Sequence, residues 1–470
     1  MPGKSFSGGY RFRNFKGQPE NRCVELALPK KVSIPLTPGF AALLEPKVKV
    51  NDRVFAGEII ARNDFSVSSP VHYSINGKVT AIEVKSYFKQ EVTMIVIEGD
   101  GGASVQRIEG CLAQWDKLSA EKIEELLYKS GVTALDQGIP TRFKSSLIMP
   151  ADVEDLIIHG TGSDVYNSSL ELFIDGGNLF HFVEGIKILK KIMPRARVQL
   201  VLNSEKQDII EKIRKITRQL DEFEIIPVIA KYPQGRDKML IHTVLNKKCP
   251  AGYSIANMGI VVLTIPTVWS VYEATAEGRP LIERVIALSG PGFKENLHLK
   301  IRIGTALEDI LKNRLKNERV KIILNSLLGG VELPDWSLPI DHTAAQLIAI
   351  PEEKERKFFA AISPQIKTDS YSRTFFSCGE KIPTTSLTAA QRPCIQCGYC
   401  LEVCPVKIMP LFLYRQANLP VNEELKGYGI FDCIDCNLCT YVCPAKIPLA
   451  EKIAEAKKRL IENGIDKNPG

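Results

Sequence analysis

Eight cysteines fall in two runs of one pattern, C-x2-C-x2-C-x3-C-P. They are Cys394, Cys397, Cys400 and Cys404, then Cys433, Cys436, Cys439 and Cys443. Thiolates are soft ligands that select zinc or iron–sulfur centres. Zinc is ordinarily satisfied by one set of four, often as two separated pairs, and is the weaker reading. A trio at this spacing lets a tightly turned backbone present three thiolates to three irons of one cubane. The fourth cysteine begins a helix that leads away, so it reaches the other cluster. The expected ligand sets are Cys394, Cys397, Cys400 and Cys443 on one [4Fe–4S] cluster, and Cys433, Cys436, Cys439 and Cys404 on the second. Pro405 and Pro444 turn the chain into the crossover, and Gly398 and Asn437 allow close approach of N–H donors to sulfide. The copies repeat at an offset of 39 residues. Two clusters in line let electrons enter at one end and leave at the other, which a single cluster cannot do.

The other four cysteines, Cys23, Cys111, Cys249 and Cys378, are scattered and read as ordinary thiols. Cys378 is nearest the clusters and is the candidate redox thiol among them. A disulfide framework is excluded by this distribution in a long chain. The formal charge of +7 treats all twelve cysteines as neutral. Two clusters at roughly −2 each, thiolates included, leave the balance only mildly basic. Nucleic acid is therefore not an expected partner. The 470 residues are 44% hydrophobic, enough for several cores. No stretch approaches eighteen uninterrupted apolar residues, so no transmembrane span of its own is expected. The start lacks the apolar run of a secretory signal, and a cytoplasmic location is expected.

The elements that must hold these ligands read as a multidomain α+β and α/β chain. Residues 1–30 look like an irregular N-terminal extension. Residues 31–100 are short β-branched strands, with Asn76-Gly77 as a hairpin turn signal, and resemble a barrel-sandwich (biotinyl/lipoyl-like) domain. Its tip, Ser66 to His72, lacks a carrier lysine, so a docking module is expected rather than a swinging arm. Strand–helix alternation over 118–245 argues an α/β core. Its first helix is capped by Ser119 and stopped by Gly131, and a later amphipathic helix is opened by Ser204. Residues 246–360 read as a strand–helix segment and a small β-grasp-like domain, 361–390 as a linker, and 391–455 as a two-cluster ferredoxin-like domain. A charged C-terminal helix and tail occupy 456–470.

The chain resembles the RnfC family of the Rnf electron-transport complex, and more distantly the flavin-binding subunit of respiratory complex I. The resemblance runs over nearly the whole chain: VNDRVFAGEIIA, INGKVTAIE, EGIKILKK, KYPQGRDKMLI, GRPLIERVIALSG, IRIGTALEDIL and the cysteine runs. It implies an α/β core related to an FMN and NADH site, a soluble-ligand-binding-type domain, then the ferredoxin segment. The family's flavin loop, G-x-G-G-A-G-F-P-T, corresponds to TALDQGIPT, Thr133 to Thr141. Gly138, Pro140 and Thr141 match; Thr133, Leu135 and Asp136 replace glycines that let backbone N–H groups cradle a phosphate. The block N-G-A-E-C-E-P-Y corresponds to HGTGSDVY, where Gly160 and Tyr166 match and Gly162 and Asp164 stand at the acidic positions. Thr264 takes the place of a family asparagine. The candidate flavin-pocket residues are thus Gly138, Asp164 and Tyr166. FMN and NAD are disfavoured cofactors, and Lys231, Arg236 and Lys238 are expected to face an acidic surface if that loop contacts a partner.

The expectation is an electron-transfer subunit with no catalytic residue of its own, relaying electrons through two clusters. It would be a peripheral subunit of an Rnf-like ferredoxin/NAD membrane oxidoreductase, on the cytoplasmic face of the inner membrane. Ferredoxin, flavodoxin or another flavoprotein would be its redox partner. The alternatives are a complete NADH- and FMN-dependent dehydrogenase, and a structural adaptor whose clusters only staple the C-terminal domain.

Overall fold

A computed structural model describes residues 3–13, 15–36, 44–63, 67–88, 90–143, 145–317, 319–351, 371, 383, 391–417, 419 and 424–465. Nearly all of the expected linker at 361–390, including Cys378, lies outside the described residues.

The N-terminal module is a sandwich of two small sheets. One joins Lys31–Pro35, Gln90–Gly99, Gly77–Tyr87 and Arg53–Val54; the other joins Glu45–Pro46, Ile59–Arg62 and Val71–His72. Alternate positions point inward, as the two-residue strand period requires. Val32 and Ile34 meet Ile95 and Ile97 across the antiparallel pair, all buried. The hairpin turn does not fall at Asn76-Gly77. Tyr87 pairs with Gln90, and Phe88 takes the left-handed conformation there (φ 49°). Asn76 is buried instead. Its Oδ1 accepts from Ala56 N at 2.7 Å, and its Nδ2 donates to the carbonyls of Gly102 and Ser104 at 3.0 and 2.9 Å. Gly77 is needed for close approach, because a Cβ would lie 2.0 Å from the Glu98 carbonyl oxygen. The expected docking tip meets the α/β core: Ser69 Oγ bonds Thr133 Oγ1 at 2.6 Å, and His72 Nε2 bonds the Lys129 carbonyl at 2.8 Å.

The core sheet runs in the order Phe223–Val228, Arg197–Asn203, Asp155–Gly160, Ile260–Thr264, all parallel. Both faces are covered, which is why these strands are continuously apolar rather than alternating. Helices Ala120–Lys129, Asn178–Ile192, Gln207–Ile216 and Ile265–Ala276 pack on one face, and Asp237–Leu245 on the other. The sheet therefore extends past the boundary at 245, because its fourth strand pairs with Asp155–Gly160. Ser119 caps its helix as expected, accepting from Lys122 N at 3.2 Å, and Gly131 follows in the left-handed region (φ 75°). Ser204 does not cap its helix, whose N-cap position is Lys206.

The third unit is a mixed six-stranded sheet in the order Cys23–Glu25, Leu297–Arg302, Glu283–Ser289, Gln346–Pro351, Val320–Leu324, Val331–Glu332. Leu307–Leu311 packs a short helix into its core. The N-terminal extension is not irregular throughout. Cys23–Glu25 is an edge strand here, Lys4 bridges to Val228, and Tyr10 bridges to Tyr232. Such pairing gives backbone groups their partners far along the chain, which a local reading of breakers misses. The C-terminal helix Leu449–Glu462 buries Ile453, Ala456 and Leu460 against Leu413 and Ala417 of Pro410–Ala417. No helix among the described residues is long and apolar enough to cross a membrane.

Asn76→Asp separates the two roles of that residue. A turn residue would tolerate the change, whereas the buried amide loses its two donated bonds and gains a charge. A loss of about 2–3 kcal/mol in urea unfolding is expected.

Candidate iron–sulfur centre

The two cysteine runs have one backbone signature. Gln396 and Gly398 are left-handed (φ 55° and 79°), as are Asp435 and Asn437 (φ 54° and 61°), and so are Lys407 and Lys446 (φ 57° and 56°). Alternating backbone conformations of this kind turn successive N–H groups inward and create an anion-binding concavity. The N–H groups point at sulfur. Those of Val406, Lys407 and Ile408 serve Cys404, and those of Leu401 and Leu411 serve Cys400. Leu438 serves Cys436, and Thr440 serves Cys439.

The electrostatic neighbours of the thiols sort them into two groups. Cys400 faces Cys397 and Cys443. Cys404 faces Cys433, Cys436 and Cys439. Each fourth cysteine therefore sits with the other run's trio. Cys394, Cys400, Cys439 and Cys443 pack around Ala445, Ile447 and Leu449. Burial pushes the Cys433 thiol up to about 11 and Cys436 up to about 12, with neighbouring cysteines raising both further. Cys439 is raised well above the ordinary thiol value, first by burial and then by Cys436 and Cys433. Such thiols ionise only if a cation is supplied on the spot. Among the described residues no group of three His, Cys, Asp or Glu could hold a single metal ion. A cubane instead spreads its four thiolates over four irons. The donor set, with its N–H groups aimed at sulfur, fits [4Fe–4S] clusters.

A second feature lies at the carboxyl ends of the parallel strands. The chain moves outward one way from Asp155–Gly160 and then places Ile260–Thr264 on its other side. This is the switch point where open α/β sheets leave a crevice for ligands. Asp136, left-handed at φ 53°, reaches into it, and its Oδ2 accepts from Thr264 N at 2.6 Å. Thr264 is the N-cap of Ile265–Ala276, where the helix dipole favours an anion. Pro266, in the first turn, brings no N–H. Behind the crevice His159 is buried, and desolvation lowers its pKa, with Asp136 opposing. Gly235 is required there, since a Cβ would lie 2.9 Å from His159 Nε2. Gln137 donates to Asp237, whose carboxyl burial pushes up to about 6.

The expected pocket residues go separate ways. Gly138 is left-handed (φ 88°), a conformation glycine accommodates. Asp164 Oδ1 accepts from Val165 N at 2.7 Å, and burial pushes its carboxyl up to about 6, with Ser326, Val165 and Arg236 opposing. Tyr166 is buried in an apolar core with Ile323 and Ile348, its ring edge-on to Phe15. The basic loop does not face outward as expected. Lys231 donates to the Phe6 and Gly8 carbonyls and stands over the Phe6 ring. Arg236 is tucked against Tyr232. No local pattern announces the Asp136–Thr264 bond, since its partners are 128 residues apart; Pro266 was the available signal.

Four domain families match along the chain: the RnfC barrel sandwich hybrid domain at 4–102, the Nuo51 FMN-binding domain at 131–273, the NQRA C-terminal domain at 285–334 and the 4Fe-4S dicluster domain at 393–447. Fold and cysteine site together define an iron–sulfur redox protein built on an FMN-domain core. In domain content and order the chain is RnfC-like. Its relatives include RnfC-type components of three bacterial complexes. It is 27% identical over 444 residues to that of the proton-translocating ferredoxin:NAD(+) oxidoreductase complex of Clostridium ljungdahlii, covering 91% of this chain and 88% of that one. It is 25% identical to that of the Na(+)-translocating ferredoxin:NAD(+) oxidoreductase complex of Acetobacterium woodii, covering 83% and 82%. It is 27% identical to that of the ion-translocating oxidoreductase complex of Rhodobacter capsulatus, covering 93% and 79%. An NAD+-reducing [NiFe]-hydrogenase chain superposes with a TM-score of 0.42 at 13% identity, covering 76% of this chain and 66% of that one.

The FMN that the core family implies meets a poor fit at the switch point. A phosphate there needs free N–H donors and no competing charge. The Thr264 N–H is taken by Asp136, and Pro266 has none to give. Asp136→Gly combined with Pro266→Gly frees both positions. The unsubstituted protein is expected to show no stoichiometric FMN binding in a fluorescence titration, and the double variant to bind at least about tenfold tighter, the scale of one regained charge-assisted hydrogen bond.

Proposed function

We propose that the chain is an electron-relay subunit with two [4Fe–4S] clusters, working as the peripheral partner of membrane subunits in an Rnf-like ferredoxin:NAD oxidoreductase. Cys394, Cys397, Cys400 and Cys443 hold one cluster; Cys433, Cys436, Cys439 and Cys404 hold the other. The observation that carries this is the exchange of fourth cysteines between the two trios. It ties the clusters into one unit and keeps them close enough for one-electron steps. When bound, the clusters supply that one-electron chemistry. The residues of this chain hold the sulfurs, aim backbone N–H groups at them and exclude water from the inner set.

The two ends differ in access. Cys397 is exposed beside Ile395, 68% exposed, and Leu401. Cys436 and Cys404 are buried against the rest of the molecule. A soluble ferredoxin, flavodoxin or another flavoprotein exchanges electrons at the open end, on the cytoplasmic face of the membrane. The Asp136–Thr264 bond favours this relay over a complete NADH- and FMN-dependent dehydrogenase.

Iron and acid-labile sulfide analysis of anaerobically purified protein is expected to give about eight of each, with little flavin. Fewer than four irons would falsify the assignment. Cys397→Ser is expected to leave a folded, assembled protein with electron flux reduced at least tenfold. Undiminished flux from that variant would mean the clusters are only structural staples.

A further inference from the structure

The inner trio meets the α/β core through Tyr232 and Arg236, on the loop before helix Asp237–Leu245. Tyr232 Oη donates to the Cys436 carbonyl at 2.9 Å. Arg236 shares its niche. A Cβ built on Gly329 would fall 1.9 Å from Arg236 Nη2 and 3.4 Å from Tyr232 Oη. The next residue back, Leu328, accepts from Asn437 Nδ2 through its carbonyl and packs on Cys436. Arg236 and Cys433 also line one cleft of about 440 Å³. The guanidinium is thus wedged between the core and the second cysteine run, where its electrostatic neighbours are Tyr232, Asp164 and Cys436. The outer set is built differently. The electrostatic neighbours of Cys400 are only Cys397 and Cys443, besides backbone N–H groups.

A fixed positive charge in a half-dry site favours the more negative of two redox states, because low-dielectric surroundings screen it weakly. One electron arriving at the inner end adds one negative charge there. It comes from the outer end, which is oxidised as the inner is reduced, and no bond or proton need move. We propose that Arg236 is a positioning residue for electron transfer that raises the reduction potential of the inner cluster alone, making the end against the core the electron sink of the pair. Asp164 acts on the same electron with opposite sign. The inference rests on the ligand sets proposed above.

The test is a potentiometric titration of the full chain, followed by EPR, on anaerobically purified protein. Arg236→Gln is expected to keep about eight irons and to move one cluster to lower potential. The shift should reach at least tenfold in the oxidised-to-reduced ratio at fixed poise, about 59 mV for a one-electron couple. The other cluster stays in place. Arg236→Lys keeps the charge and most of the wild-type midpoint. Asp164→Asn moves the same cluster upward. Cys433→Ser identifies it by changing its signal. Unmoved midpoints, or equal movement of both clusters, overturn the proposal. If Arg236→Gln fails to hold iron, the Asp164→Asn titration decides alone, and an unchanged inner midpoint overturns it. A wild-type protein without two clusters sinks the relay reading and this inference together, and the iron count tells that case apart.

Discussion

A thiol buried away from water must find a positive charge before it can become a thiolate. That constraint governs the C-terminal end of this molecule. Cys433, Cys436 and Cys439 are all held above ordinary thiol values by burial. The apolar groups around them, Ile408, Leu413, Ile430, Ile453 and Leu460, form a small core. A core of this size gains much of its stability from the metal that deprotonates the ligands, so cluster binding and folding are one event. The exchange of Cys404 and Cys443 makes that event joint. Each cluster needs a sulfur from the segment that mainly serves the other.

The relay unit then has to be held against its neighbours, and the first residues of the chain do much of this. Gly9 N donates to the Val403 carbonyl at 2.8 Å, and Tyr10 exchanges backbone bonds with Tyr232. Gly8 passes so near Cys404 that a Cβ would meet its carbonyl oxygen at 2.7 Å. The rings of Tyr10 and Phe12 pack on Tyr441, and Phe12 also reaches Tyr232. A segment with the composition of a loose leader is a clamp between core and relay. Tyr232 lies at its centre, with its backbone bound to the N-terminal segment and its hydroxyl bound to the second cysteine run.

What could be read in the sequence follows from this geometry. The cysteine spacing, the buried parallel strands and the Ser119 cap are local patterns with local causes, and they stand as read. Asn76-Gly77 carried the right residues for a turn, but long-range hydrogen bonds from Asn76 outweigh the local preference. The edge strand Cys23–Glu25 has too few residues to announce itself and exists because Leu297–Arg302 offers it a partner. Arg236 read as a surface cation because its neighbours in sequence are polar. Its burial is set by Gly329 and Cys436, contacts made far along the chain.

The crevice at the switch point shows how such long-range contacts can keep a fold while altering its use. A helix N-terminus at the end of a parallel sheet attracts an anion, and a ligand phosphate is one way to satisfy it. In this chain the anion is Asp136, covalently attached and always present. A tethered carboxylate competes at high effective concentration, so an external phosphate must displace it to bind. The same bond ties the loop carrying Gln137 to the sheet, and Gln137 in turn holds Asp237 at the start of the helix that follows Arg236. The crevice is therefore stabilised from within, and its stability is passed to the loop that carries Tyr232 and Arg236 toward the cysteines. An FMN-domain fold kept in this way serves as a rigid mount for the inner cluster.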